Sequence, residues 1–174
     1  MSLDNLGIGD EAPHVVNAVI EIPLGSQNKY EYDPITDSMR LDRVLPVFFS
    51  YPIDYGFIPE TLSDDGDHLD ILIVAKLPST SGAILTVRVV GLLEMADEKG
   101  RDYKIIGIID GDKEWENIQE ITDLDKTLLD KISRFFEDYK KLEDNKFSTV
   151  GCFKNKDFAL KEITKSHETY LKSI

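Results

Sequence analysis

Residues 83–95, AILTVRVVGLLEM, are the stretch on which the fold turns. Branched and apolar residues dominate it, so it reads as one long strand. Gly91 inside it marks a bulge or a close approach of another backbone. Just beyond, across ADEKGR (96–101), DYKIIGII (102–109) is the natural hairpin partner. Working outward, DILIVAK (70–76) is a short buried strand. VVNAVIEI (15–22), NKYEYD (28–33) and SMRLDRV (38–44) are three more, with PITD (34–37) as the turn between the last two. Downstream the period changes. Between 123 and 142, apolar residues fall at Leu128, Ile132, Phe135, Phe136, Tyr139 and Leu142, one face of a helix. KFSTVGCF (146–153) returns to strand, and 157–171 reads as a final helix with Ala159, Ile163 and Tyr170 on one side. Many strands followed by two late helices predict a mainly β, α+β chain. A β-barrel with helices packed outside it is expected, in one domain over 1–174.

Charge narrows the function. Twenty Lys and Arg stand against 33 Asp and Glu, a net charge of −13. Such a chain is a poor generic partner for nucleic acid or an anionic membrane, which select basic residues. No apolar run approaches the ~18–20 residues of a membrane span. The opening MSLDNLGIGDEAPHVV lacks a basic segment followed by an apolar one, so no signal peptide is expected. Cys152 is the single cysteine. An internal disulfide is therefore ruled out, in keeping with a reducing cytoplasm. Cys152 itself reads as a small core residue.

The acid is concentrated. SDDGDHLDILI (63–73) crowds Asp64, Asp65, Asp67 and Asp70 at the mouth of a buried strand. Unneutralised, such carboxylates repel one another. Asp65, Asp67 and Asp70 form D-G-D-x-x-D, which alone suits either a solvated Asp-Gly turn or a site for hard divalent cations. An EF-hand is excluded, because Gly66 comes too early for that loop. A second acidic cluster flanks the expected hairpin turn at Asp97 and Asp102. Lys104 stands two residues beyond Asp102, so the two share a strand face. Lys29 and Glu31 repeat that spacing. Alternating acid and base on a strand face suits a surface ion pair, or a site where carboxylates hold ions and cations hold an anion. In FFSYPIDYGFIPET (48–61), Tyr51, Tyr55 and Phe57 sit among Pro52, Gly56 and Pro59. A rigid aromatic loop is expected there, able to present a phenol to a phosphate oxygen. Tyr139, followed by Lys140, falls on the apolar stripe of its helix, where core is the default.

Taken together and in this order, these residues resemble the soluble inorganic pyrophosphatases of the β-barrel family, bacterial forms included. The resemblance runs from about Val16 to Lys146 and rests on DGDHLD, with IEIP, KYEYD, LDR, YPIDYGFIP, DEKGRDYK and FFEDYKKLE around it. It implies a five-stranded OB-like barrel, hydrolysis of pyrophosphate to two phosphates, several Mg²⁺ ions per site and, in bacteria, a homohexamer. It also implies roles. Asp65, Asp70, Asp97, Asp102, Glu21 and Glu31 would serve the metals, Glu31 mainly through water. Asp67 would accept the proton of the metal-activated water that attacks in line. Lys29, Arg43, Tyr55, Lys104, Tyr139 and Lys140 would hold the phosphate groups, with Tyr51 as a neighbour. The crowding of aspartates is then explained, because cations would hold them together.

Several positions depart from the family pattern. His68 stands where Pro is usual, which softens the loop; a solvent-facing filler is its expected part, with ligation of a transition metal and an altered metal preference as the alternative. Asp54 replaces a common Asn and is expected to add negative charge beside the site. A Val-Pro pair is missing near Ile109, and His14 and His167 fall outside any motif, where surface roles are expected. Two rival classes are weighed. An OB-type nucleic-acid binder needs aromatics on a basic groove, which this acidic chain lacks. An ion-binding domain with degenerate chemistry should have lost Asp67 or the phosphate-binding cations, and it has not.

Overall fold

The computed structural model describes residues 3, 6–98, 100–139, 141 and 148–174. Nine strands and two helices follow in order: β1 (Val15–Ile22), β2 (Asn28–Asp33), β3 (Ser38–Val44), β4 (Asp54–Ile58), β5 (Leu69–Val74), β6 (Ile84–Asp97), β7 (Gly100–Arg101), β8 (Lys104–Ile109), α1 (Lys126–Tyr139), β9 (Ser148–Lys154) and α2 (Lys156–Ser173). Single 3₁₀ turns at Lys113–Trp115 and Ile121–Asp123 lead into α1. Among the described residues, no helix is long and apolar enough to cross a membrane.

Five strands close into a hydrogen-bonded ring in the order β1-β4-β5-β8-β6, with β6 returning to β1. This is the arrangement the expected barrel requires. Only β5 and β8 run parallel within the ring. The opening stretch explains the closure. The first part of β6, Ile84–Arg88, pairs with β1, while its far end, from Leu92 to Asp97, carries β9. Gly91 serves both purposes expected of it. The β6–β8 register shifts between Val89 and Gly91, and a Cβ there would lie 2.7 Å from the Lys154 carbonyl oxygen. β2 and β3 form a separate hairpin whose turn is set by Asp33, accepting from the Ile35 amide at 2.9 Å.

Period two sends alternate residues of β5 into two cores. Leu69, Ile71 and Ile73 pack in one, with Ala159 and Ile163 of α2. Leu72 and Val74 pack in the other, with Ile132, Phe135 and Phe136 of α1. Asp70 has the parity of Leu72 and Val74, but it stands where that face opens.

Two sequence expectations are corrected. The aromatic loop at 48–61 contains a ring strand, β4, at Asp54–Ile58. Gly56 and the flanking prolines look like loop punctuation. Yet Gly56 is required by packing, because a Cβ on it would fall 1.9 Å from the Val19 carbonyl oxygen in β1. Cys152 is exposed rather than buried. The β6–β9 register is irregular between Leu93 and Met95, whose partners are Phe153 and Val150. Val150 and Phe153 both pack on the core, so the residues between them bulge and Cys152 turns outward.

Candidate active site

A polar cleft of about 600 Å³ opens at one end of the ring. Each wall has its own local cause. β1 contributes Glu21 from near its end. The β2–β3 hairpin contributes Lys29 and Glu31, two residues apart and therefore on one face. β4 contributes Tyr55. The turn before β5 supplies Asp65 and Asp67, and β5 itself supplies Asp70. Asp97 ends β6, Asp102 precedes β8, and Lys104 begins β8. Tyr139, on the last turn of α1, is both a core residue and part of the cleft wall.

The parallel pairing of β5 and β8 sets Asp70 opposite Lys104. The Lys104 ammonium lies 2.5 Å from Asp70 Oδ2 and 2.5 Å from Asp102 Oδ1, with its side chain only 5 % exposed. Burial works against that ammonium, but Asp70 and Asp102 outweigh it and hold its pKa above the ordinary lysine value. Burial likewise raises the Asp70 carboxyl, opposed by Lys104 and reinforced by Asp102, while the Tyr55 hydroxyl donates to it. Glu21 shifts in the same direction. Burial pushes its carboxyl up to about 8, although the Tyr32 amide donates to it at 2.8 Å. Lys29 forms ion pairs with Glu31 and with Asp42, the latter at 3.2 Å. Burial acts against the Lys29 charge, and Glu31 more than offsets it, so its pKa is raised. Burial also lifts the Tyr55 and Tyr51 hydroxyls well above the usual phenol range, which keeps them donors.

Eleven of the thirteen side chains to which the resemblance gives a role, Tyr139 among them, therefore line one cleft. Arg43 stands beside it, as the cross-strand partner of Lys29, with its guanidinium carbon 5.8 Å from the centre of the Tyr139 ring. Tyr51 lies beneath, buried, its ring centre 5.6 Å from that of Tyr55. Lys140 lies outside the described residues. Asp54 is not beside the cleft. Fully buried, it accepts from the Leu24 amide at 2.6 Å and the Ser79 amide at 3.1 Å, and so ties two loops to β4. His68 is more than a solvent-facing filler. Its ring stacks on Phe57 with centres 4.8 Å apart, and its Nδ1 lies 2.9 Å from the Thr61 carbonyl oxygen. His167 is partly buried, 2.6 Å from the Glu60 carbonyl oxygen, while His14 is exposed as expected.

Other cleft residues carried no functional signal in the sequence. Arg101 sits between two singled-out aspartates but had no motif role. Tyr170 and Ser173 reach the rim from α2. Tyr170 does share the stripe of Ala159 and Ile163, as its spacing predicts, but the stripe outruns the core and its end faces the cleft.

The donor set is almost wholly oxygen: aspartate, glutamate and tyrosine. That chemistry fits hard divalent cations such as Mg²⁺. Among the described residues, no three carboxylates converge as a ready-made cage. The ammonium groups of Lys104 and Lys29 bridge them instead.

The family model for inorganic pyrophosphatase matches residues 18–171. The inorganic pyrophosphatase of Thermus thermophilus is 48% identical over 164 residues, covering 93% of this chain and 94% of that protein. That of Campylobacter jejuni is 42% identical over 172 residues, 98% and 99% of the two chains. The crystal structure of the Thermus thermophilus enzyme superposes with a TM-score of 0.95 at 46% identity, covering 98% of this chain and 99% of its own. A crystal structure of an inorganic pyrophosphatase from Neisseria gonorrhoeae gives 0.90 at 34% identity, over 96% and 97% of the two chains. A closed five-strand ring, an acidic cleft at its end and relatives of this closeness lead to one conclusion: the chain belongs to the inorganic pyrophosphatase family.

Proposed function

We propose that this chain is a Mg²⁺-dependent inorganic diphosphatase that hydrolyses pyrophosphate to two orthophosphates. It works as one domain over 1–174, in the cytoplasm, and as a homo-oligomer, a hexamer by family resemblance. Neither nucleic acid nor membrane takes part. One observation carries the proposal: seven carboxylates share a single cleft with Lys29, Lys104, Tyr55 and Tyr139, in a chain of this family.

Asp65, Asp70, Asp97, Asp102, Glu21 and Glu31 are the residues to hold the cations. Bound divalent cations offset the carboxylate charge, screen the polyanionic substrate and acidify a water molecule. Lys29, Arg43, Lys104, Tyr55 and Tyr139, with Lys140, hold the phosphate oxygens and so fix the line of attack. The raised Tyr55 pKa supports this, since a protonated phenol donates to phosphate. Water attacks one phosphorus in line, the bond to the bridging oxygen breaks, and its electron pair leaves on the second phosphate. Asp67 takes the proton of the attacking water. In the metal-free cleft the neighbouring carboxylates hold Lys104 and Lys29 above the ordinary lysine pKa, so both enter the site as cations.

The test is phosphate release from pyrophosphate with Mg²⁺, with chelator, and in Asp67→Asn. Release should require the metal and fall by about 10²–10⁴-fold in the variant. Folded, Mg²⁺-loaded protein that releases nothing would sink the hydrolase. Release unaffected by Asp67→Asn would move the proton acceptor to another residue.

A further inference from the structure

Asp65, Asp67 and Asp70 line the cleft, and Asp64 does not. Its carboxylate is engaged elsewhere. Oδ2 accepts from Arg101 Nε at 2.9 Å and Nη2 at 2.8 Å, and Oδ1 lies 3.7 Å from Lys165 Nζ. These contacts join three segments. Asp64 belongs to the turn that carries Asp65 and Asp67. Arg101 belongs to β7, between Asp97 and Asp102, and pairs with Ala96 of β6. Lys165 belongs to α2.

The acidic turn needs such an anchor. Asp70 is fixed by strand pairing, but Asp65 and Asp67 precede β5 and have no ladder to hold them. The turn is closed on itself, by the Ser63 amide to the Asp67 carbonyl at 2.8 Å and the Gly66 amide to the Ser63 carbonyl at 3.1 Å. That fixes its shape and not its position. Its approach is tied to α2, where the Leu62 amide donates to the Ser166 carbonyl at 3.0 Å and His167 Nδ1 donates to the Glu60 carbonyl at 2.6 Å. Among the described residues, the Asp64–Arg101 pair links the turn across to the opposite, Asp97–Asp102 wall. Arg101 and Asp64 keep 52 % and 44 % of their side-chain surface in solvent, so the pair adds little to global stability. Its effect is local: it sets where two carboxylates stand relative to two others.

We propose that Asp64 is a positioning residue, whose pairs with Arg101 and Lys165 hold the acidic turn against the opposing wall and so set the cleft's affinity for divalent cations. This rests on the metal-dependent reading above. It predicts a sign pattern that simple charge does not. By charge alone, Asp64→Asn should weaken cation binding and Arg101→Gln should strengthen it. Loss of the link weakens binding in both.

The experiment is calorimetric titration of Mg²⁺, and separately of Mn²⁺, into the full chain stripped of divalent ions, with folding checked by circular dichroism. Asp64→Asn and Arg101→Gln should each raise Kd by roughly three- to tenfold, the scale of one or two exposed ion pairs. Made in a Lys165→Gln background, so that no like charge faces position 64, the charge swap combining Asp64→Arg with Arg101→Asp should return Kd to within about twofold of Lys165→Gln alone. Amide hydrogen exchange at Leu62 and Asp67 should quicken in the single variants and recover in the swap. Opposite signs in the two single variants, or affinities equal to the parent's, overturn the proposal. A parent that binds cations but releases no phosphate overturns only the hydrolase. A parent that binds no cation overturns both.

Discussion

Replacing Lys104 with Met tests the electrostatic logic of the cleft most directly. The ammonium touches Asp70 and Asp102 at 2.5 Å each, so the two bonded carboxylate oxygens stand at most about 5 Å apart. Without the cation between them, two charges at that distance repel by about 3 kcal/mol at an effective dielectric constant of about 20. Met matches the lysine stem as far as Cε and lacks the ammonium, so most of the packing is kept and the loss is mainly electrostatic. Asp70 and Asp102 retain 23 % and 14 % of their side-chain surface in water, which places the total at the lower end of the ~3–5 kcal/mol cost of breaking a buried pair. For a chain of this length about 3 kcal/mol corresponds to a fall in Tm of roughly 6–12 °C. Thermal unfolding in chelator, at fixed protein concentration, should show it. Millimolar Mg²⁺ should then restore a larger share of Tm in the variant than it adds to the parent, because a divalent ion supplies the charge the ammonium took away. A variant within about 2 °C of the parent in chelator would refute the argument. So would a fall in Tm on which Mg²⁺ acts no more strongly than on the parent.

Further outcomes follow from Glu21 and Gly56. The folded protein keeps a proton on Glu21 up to about pH 8, whereas its ordinary value is 4.5. The stability that goes with this proton is fully present below 4.5 and is lost as pH rises through 8. In chelator, Tm should therefore decline between about pH 5 and 8, and Glu21→Gln should flatten the decline; an unchanged slope in the variant would exclude Glu21 as its source. Asp70, raised in the same direction, adds to the decline, so part of the slope remains in Glu21→Gln. Gly56→Ala would set a methyl carbon 1.9 Å from the Val19 carbonyl oxygen, inside a closed ring where β1 cannot retreat without breaking pairs on its other side. Denaturant unfolding should record a loss of at least about 3 kcal/mol, the upper end of ordinary overpacking. A loss below about 1 kcal/mol would mean that β1 yields more easily than its pairing on both edges implies.

Period two made much of this molecule legible in advance. It set Lys29 beside Glu31 and Asp102 beside Lys104, and the ion pairs are there. The change to period 3.6 located α1 near its bounds, and Gly91 announced its bulge. β4 was hidden because Gly56, Pro52 and Pro59 are punctuation in most local contexts. What Gly56 answers to is the carbonyl of Val19, far off in sequence and invisible to any window. Cys152 failed for a related reason. A bulge in β9 shifts parity by one between Val150 and Phe153, where Gly151 within KFSTVGCF was the signal that could have marked it. Asp54 was placed by its chain neighbours beside the cleft, while its partners Leu24 and Ser79 come from two distant loops. Arg101 and Tyr170 join the site only because the β6–β8 hairpin and α2 dock where they do. Chemistry on one strand can thus be read from spacing, and chemistry assembled between elements needed the family resemblance or the coordinates.

The pairing of β1 with both β4 and β6 also bears on how the molecule is made. β1 leaves the ribosome early, but the strand that seals its second edge begins only at Ile84. Until then the nascent chain can form at most an open sheet with unpaired edges. Asp97, Asp102 and Lys104 emerge later still, and Tyr139 after them. During synthesis, therefore, the acidic turn at 63–70 is exposed before its counter-wall exists. The proposed cation and substrate site is therefore incomplete until the ring has closed behind it.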